Sequence, residues 1–209
     1  MHSLAALFRP LRYIPVIELD HAENAIPLAE ALIAGGIGAI EVTLRTPAGI
    51  DGIRRLSQAN LPILVGAGTL VRADQAALCR DAGATFAVSP GFTDALDRAC
   101  KTAQLPLLPG AVTASEVMLA LDAGYTALKF FPASVHGGTT WLKAIRGPLP
   151  QAEFIATGGI TDADMADYWA QPNLLAVGSS SVAPAKLIRE KAWSQITEAA
   201  KRVMEAAKR

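Results

Sequence analysis

Residues 106–131, PLLPGAVTASEVMLALDAGYTALKFF, contain one complete structural period. The apolar run Pro106 to Pro109 has the length of a strand and Gly110 ends it. Ala114 to Asp122 then repeats apolar residues at helical spacing, and Gly124 stops that helix. Glycine suits the stop because the residue past a helix end often takes a positive φ, which costs glycine nothing. Ala127 to Phe131 is apolar again apart from Lys129. Strand, helix and strand in this order predict a βαβ unit with parallel strands.

The same period extends in both directions. Strands are expected at Ile14 to Glu18, Ala39 to Thr43, Pro62 to Ala67 and Phe86 to Ser89. After the two just quoted, they are expected at Phe154 to Ala156 and Leu174 to Val177. Helices fill the intervals: Ala22 to Ala34 places Ile26, Ala29, Leu32 and Ile33 on one face, and Gly35-Gly36 and Gly83 stop helices just before strands. A short helix, Ser3 to Arg9, opens the chain, and one long amphipathic helix, Lys186 to Arg209, closes it. Eight such units with right-handed crossovers wind around one axis, so the expected fold is α/β, a single (β/α)8 TIM barrel domain spanning residues 1–209 with a short N-terminal helix. A flavodoxin-like sandwich is the alternative if some strands are miscounted.

Composition narrows the function. Lys+Arg 19 balances Asp+Glu 19, and no basic stretch appears, so a nucleic-acid backbone or an anionic membrane finds no electrostatic footprint. The apolar stretch Leu4 to Phe8 is too brief for a signal segment, and no run reaches the ~20 apolar residues of a membrane helix. Cys79 and Cys100 lie in separate expected helices without metal-ligand spacing, and read as buried free thiols in a reducing cytoplasm. The histidines are His2, His21 and His136, too scattered for a three-His zinc site, and no Ser-His-Asp set or dinucleotide-binding glycine run is present.

Barrels carry their chemistry at the C-terminal ends of the strands. Lys129 is the anomaly, because burying an ammonium in an apolar strand is costly. An edge-strand lysine escapes by reaching water, but a closed barrel has no edge strands. Burial disfavours the charged form of a lysine, and the neutral amine is the nucleophile that converts a carbonyl into an imine. In Glu41-Val42-Thr43-Leu44-Arg45-Thr46 the period of two sends Glu41, Thr43 and Arg45 to one side. Glu41 is then a carboxylate inside the barrel. It either pairs with Lys129 or Arg45, serves as general acid/base, or does both. Arg45 at the rim offers a fork that grips a carboxylate, and Thr69 adds a hydroxyl beside it. Thr157-Gly158-Gly159 after the seventh strand and Gly178-Ser179-Ser180-Ser181 after the eighth face the same part of the rim. Their backbone N–H groups, helped by short helix N-termini, suit a phosphate. A sugar-phosphate isomerase or epimerase would share these loops, and a non-catalytic barrel that binds sugar acids is the alternative outside enzymes.

With Glu41-Val-Thr-Leu-Arg45-Thr, Val65-Gly-Ala-Gly-Thr69, Ser89-Pro-Gly, Leu108-Pro-Gly, Lys129-Phe-Phe-Pro-Ala and Thr157-Gly-Gly-Ile in this order, the chain closely resembles the 2-keto-3-deoxy-6-phosphogluconate (KDPG) and 4-hydroxy-2-oxoglutarate (KHG) aldolases from end to end. The resemblance implies a metal-free class I aldolase without a cofactor, commonly a homotrimer, that releases pyruvate from a 2-keto acid. It places the Schiff-base lysine at Lys129 and the acid/base glutamate at Glu41. It assigns carboxylate binding to Arg45 and Thr69, the pocket lining to Pro90 and Phe131, a rim threonine to Thr157, and phosphate binding to Gly158, Gly159, Gly178, Ser179 and Ser180. Close relatives carry Gly-Gly-Ser-Trp where this chain has Gly178 to Ser181, and Glu18 stands where an apolar residue or Arg is common.

Overall fold

In the computed structural model, which describes residues 4–208, eight parallel strands alternate with helices. The strands are β1 (Arg12–Ile17), β2 (Ala39–Thr43), β3 (Leu64–Gly68), β4 (Phe86–Val88), β5 (Leu107–Leu108), β6 (Ala127–Phe130), β7 (Glu153–Thr157) and β8 (Leu174–Ser179). The helices are α1 (Leu4–Phe8), α2 (Ala25–Ala34), α3 (Ala48–Gln58), α4 (Asp74–Asp81), α5 (Asp94–Thr102), α6 (Ala114–Asp122), α7 (Gly138–Arg146), α8 (Met165–Trp169), α9 (Ala185–Arg189) and α10 (Trp193–Ala206).

The strands follow the order β5-β4-β3-β2-β1-β8-β7-β6, every pair parallel. Closure comes from a single bridge between Gly110 and Lys129. There the Lys129 N–H donates to the Pro109 carbonyl at 2.8 Å and the Ala111 N–H donates to the Lys129 carbonyl at 2.9 Å. The result is the closed eight-stranded barrel, and the flavodoxin-like alternative falls.

Two apolar clusters hold it. The larger lies between strands and helices and includes Ile17, Leu32, Ile40, Phe130 and Phe154. The smaller fills the lumen with Ile14, Ala39, Phe86, Val88, Leu108, Ala127 and Ile155. Helix α1 plugs the N-terminal end of that lumen, where Phe8 packs edge-on against Phe86 with ring centroids 5.0 Å apart. The lumen is closed below by hydrocarbon, so polar side chains pointing inward have room only toward the C-terminal mouth.

Helix α6 forms over the residues its spacing predicts. It is also fastened by a capping box in which the Thr113 hydroxyl accepts from the Glu116 N–H and the Glu116 carboxylate accepts from the Thr113 N–H. Three expectations change. The first expected helix opens with a 3-10 turn, Ala22–Asn24, and α2 buries Ala25, Leu28, Ala29 and Leu32 while Ile26 and Ile33 are only half-buried. The expected closing helix is two helices, broken where Lys191 takes a left-handed φ of 52°. The break turns α10 onto α2, where a side chain at Gly35 would lie 2.3 Å from Ala200 Cβ. The expected helix limits Ser3 and Arg209, and His2, lie outside the described residues.

Candidate active site

All four residues of β6 are buried, and the alternation that places Ala127 in the lumen also turns Lys129 inward. Its Nζ donates to Glu41 Oε1 at 3.2 Å. Lys129 is 5% exposed and Glu41 4%, so the pair is effectively out of water. Glu41 is thus joined to Lys129, and Arg45 is not its partner. The carboxylate fits because β3 presents Gly68 beside it: a Cβ there would stand 2.3 Å from Glu41 Oε1. The Lys129 ammonium also lies over the Phe131 ring, 5.2 Å from its centroid.

A cavity of about 650 Å³ opens at the C-terminal mouth, lined not by the pair itself but by Thr43 and Phe131, each two residues further along its chain segment. Arg45, Phe131, Thr157, Gly158, Gly159, Gly178, Ser179 and Ser180 all line it, so the sequence-predicted residues of β2, β6, β7 and β8 converge on one space. Arg45, past the end of β2, is exposed in its wall, whereas Thr43 spends its hydroxyl on the Ile17 carbonyl at 3.0 Å. Thr69 and Pro90 are outside the lining. Thr69 follows Gly68 in a left-handed conformation with φ 63° and is half-buried. Pro90 packs its carbonyl against Gly110, 2.1 Å from where a Cβ would be.

The Thr157 hydroxyl is buried and has no hydrogen-bond partner among the described residues. A buried hydroxyl is normally paired, so one left open on a cavity wall is free to bond whatever enters. Gly158 and Gly159 follow with φ of 98° and 70°, two successive left-handed residues that only glycine adopts easily. Beyond them, Asp164 closes the turn by accepting from the Thr161 N–H at 3.0 Å and the Thr161 hydroxyl at 2.6 Å. Helices α8 and α9 are five residues each and begin only at Met165 and Ala185. The expected contribution of helix N-termini is therefore small, which leaves the loop N–H groups as the donors this rim could offer an anion.

A residue not anticipated from sequence shapes the second loop. Tyr13 of β1 is fully buried, and its hydroxyl donates to the Ser179 carbonyl at 3.1 Å and shares a hydrogen bond with the Ser181 hydroxyl at 3.2 Å. Burial raises the phenol above its ordinary pKa, although the serine contacts pull the other way, so it stays protonated and able to donate. Ser179 Oγ in turn accepts from the Ser181 N–H at 3.2 Å. The extra side chain at Ser179 thus fastens the loop to itself. Nothing in the sequence near Tyr13 signals this, because its partners are 166 and 168 residues away.

Among the described residues, no group of three or more His, Cys, Asp or Glu side chains is placed to hold a metal ion, and no helix is long and apolar enough to cross a membrane. Comparison with known proteins agrees with the geometry. The family model for KDPG and KHG aldolase matches residues 4–199. The 2-dehydro-3-deoxy-phosphogluconate aldolase of Pseudomonas aeruginosa is 42% identical over 199 residues, 95% of this chain and 90% of that one. The KHG/KDPG aldolase of Escherichia coli K12 is 43% identical over 195 residues, 93% of this chain and 92% of that one. Among solved structures, the KDPG aldolase of Legionella pneumophila, with pyruvate captured at low pH as a covalent carbinolamine intermediate, superposes with a TM-score of 0.92 at 44% identity, covering 95% of this chain and 97% of that one. Sequence, barrel, the buried Lys129–Glu41 pair and the mouth lined by Arg45 and the two rim loops lead to the same conclusion: the chain belongs to the KDPG and KHG aldolase family and is an enzyme of the lyase class.

Proposed function

We propose that the protein is a Schiff-base aldolase that cleaves 2-keto-3-deoxy-6-phosphogluconate to pyruvate and glyceraldehyde 3-phosphate, its barrel acting as one catalytic domain over residues 1–209. The observation that carries the reading is the isolated Lys129–Glu41 pair, 3.2 Å apart beneath a mouth lined by Arg45 and two glycine-bearing loops. A buried amine beside a carboxylate combines the nucleophile and the proton carrier that imine chemistry requires. The covalent pyruvate carbinolamine of the Legionella relative is the matching intermediate on a neighbouring protein.

In this reading the Lys129 amine, having passed its proton to Glu41, adds to the C2 carbonyl of the substrate. Glu41 gives that proton back to the carbinolamine hydroxyl, which leaves as water, so that a protonated imine and a Glu41 carboxylate remain. Glu41 takes the C4 hydroxyl proton, the C3–C4 bond breaks, and its electron pair is drawn into the imine to give an enamine as the aldehyde departs. Glu41 returns a proton to C3, and water releases pyruvate and the free amine. Arg45 holds the substrate carboxylate with Thr69, and Pro90 and Phe131 wall the reacting end. The open Thr157 hydroxyl meets a substrate oxygen, and Gly158, Gly159, Gly178, Ser179 and Ser180 receive the phosphate. The shorter substrate 4-hydroxy-2-oxoglutarate would use the same inner site, in keeping with the double name of the Escherichia coli relative.

We assign the protein to the cytoplasm, in keeping with the free thiols of Cys79 and Cys100. We also infer a homotrimer, in keeping with the more than half-exposed Leu78 on α4 and Met118 and Leu119 on α6. Sedimentation at micromolar concentration tests the trimer. The activity is tested by incubating the protein with pyruvate and borohydride, with and without EDTA, and locating the adduct by peptide mass spectrometry. Reduced pyruvate on Lys129 in both samples is expected. Lys129→Ala should lose the adduct and pyruvate release together; an adduct on another lysine, or retained cleavage, would overturn the assignment.

A further inference from the structure

The mouth has an unfavourable charge balance for a phosphate. Its lining holds one cation, Arg45, and two carboxylates, Glu18 and Asp162. Asp162 sits on the exposed turn beyond the two glycines, and Glu18 is the exposed residue that directly follows β1. Ile14 lies in the lumen and Val16 lines the cavity, and Glu18, one residue past the end of β1, lines it too. The strand register sets its height. Val16 pairs with Glu41 and Pro15 with Ser179, which puts Glu18 roughly 7 Å above the level of Glu41 and one strand, about 4.8 Å, from the line of β8 and its serine loop.

The backbone that carries Glu18 is fixed on both sides. The Ile17 carbonyl accepts from the Thr43 hydroxyl at 3.0 Å, and the Leu19 carbonyl accepts from the Thr46 hydroxyl at 2.5 Å. Leu19 is fully buried, and Asp20 pairs with Arg189 at 3.1 Å. The Glu18 side chain itself has no hydrogen-bond or ion-pair partner among the described residues. It is exposed and lines the same cavity as Gly178, Ser179 and Ser180. A carboxylate repels a doubly charged phosphate across a few ångströms, most strongly in a half-enclosed site, and it accepts well from a neutral hydroxyl.

We propose that Glu18 is a specificity-determining residue that weakens the hold on a phosphorylated tail and favours an aldehyde half ending in free hydroxyls. The proposal rests on the reading that the loops after β7 and β8 receive the far end of the substrate. Its consequence is that the unphosphorylated 2-keto-3-deoxy sugar acid competes as a substrate.

The test compares wild type with Glu18→Gln, which keeps the shape and removes the charge. Aldol addition of pyruvate to glyceraldehyde 3-phosphate and to glyceraldehyde is measured, and inorganic phosphate is titrated calorimetrically into the resting enzyme. Glu18→Gln should raise kcat/KM for the phosphorylated aldehyde about tenfold, mainly through KM, and lower it about twofold for glyceraldehyde. The gain should shrink toward unity as salt is raised to about 0.5 M, and phosphate should bind about tenfold more tightly. Changes in the same direction for both aldehydes, or unchanged phosphate binding, would overturn the assignment. Phosphate titration involves no imine, so tighter phosphate binding in an enzyme that turns over neither aldehyde would uphold Glu18 and sink the aldolase reading instead.

Discussion

The Lys129–Glu41 pair is expensive for the fold. Each charge loses its hydration, and a buried pair recovers that cost only when both partners stay in place. Neither side chain is explained by packing, since hydrocarbons of similar size would fill the lumen at least as well. Glu41→Gln separates the holding of the lysine from the movement of protons. Cleavage should fall by about 10² to 10⁴, the usual worth of a positioned acid/base, while borohydride still traps pyruvate on Lys129. Loss of trapping in equal measure would reduce Glu41 to a structural partner. At this scale the sequence was informative wherever a residue broke a local rule. Lys129 and Glu41 stood out as charges in buried strands, and glycines marked the rim. Tyr13 broke no rule, since a tyrosine in a strand is ordinary core. Thr69 was read as a hydroxyl beside Arg45 and Pro90 followed from resemblance alone, and both are set back from the cavity wall.

The elements explain how residues so far apart in sequence meet. Alternation along a strand predicts which side a residue faces but not where the strand stops, and β1 ends at Ile17, one residue short of the expected Glu18. The expected closing helix failed for a different reason. Its amphipathic pattern runs through Lys191, and the left-handed kink there separates α9 from the helix that packs on α2 at Gly35 and Ala200. The loop after β8 depends on β1 through the Tyr13 hydroxyl. Tyr13→Phe deletes that donor while keeping the ring, and leaves the Ser179 carbonyl unmatched at a cost of about 1 kcal/mol. KM for the phosphorylated substrate should rise severalfold with little change in kcat, read in a coupled assay of pyruvate release. An equal fall in kcat would mean that the loop also governs the reacting end.

For the molecule as a whole, the buried acids that ionise late set an alkaline limit. Burial pushes the Cys79 thiol to about 12 and the Cys100 thiol to about 11, from an ordinary 9.0. Burial also raises Tyr13, Tyr125 and Tyr168. Such groups ionise at lower pH in the unfolded chain, so their stabilisation is complete below the ordinary thiol value and drains away as pH climbs through the folded values. Each thiol then costs the native state up to about 1.4 kcal/mol per pH unit. The melting temperature should fall between pH 9 and 11, and the fall should be shallower in a Cys79→Ala, Cys100→Ala double variant. Parallel slopes in the two proteins would remove the thiols from the explanation.

The barrel closes through one bridge, and that bridge is made by the backbone of Lys129 itself. Glu41 belongs to the run of strands from β1 to β5 and Lys129 to the run from β6 to β8. The two runs meet at the β1–β8 ladder and again at this single stitch. The proposed nucleophile and proton carrier are therefore owned by separate fragments of the chain. A cut in the turn between α6 and β6 would leave each fragment chemically mute, with turnover returning only when the fragments re-form the ring.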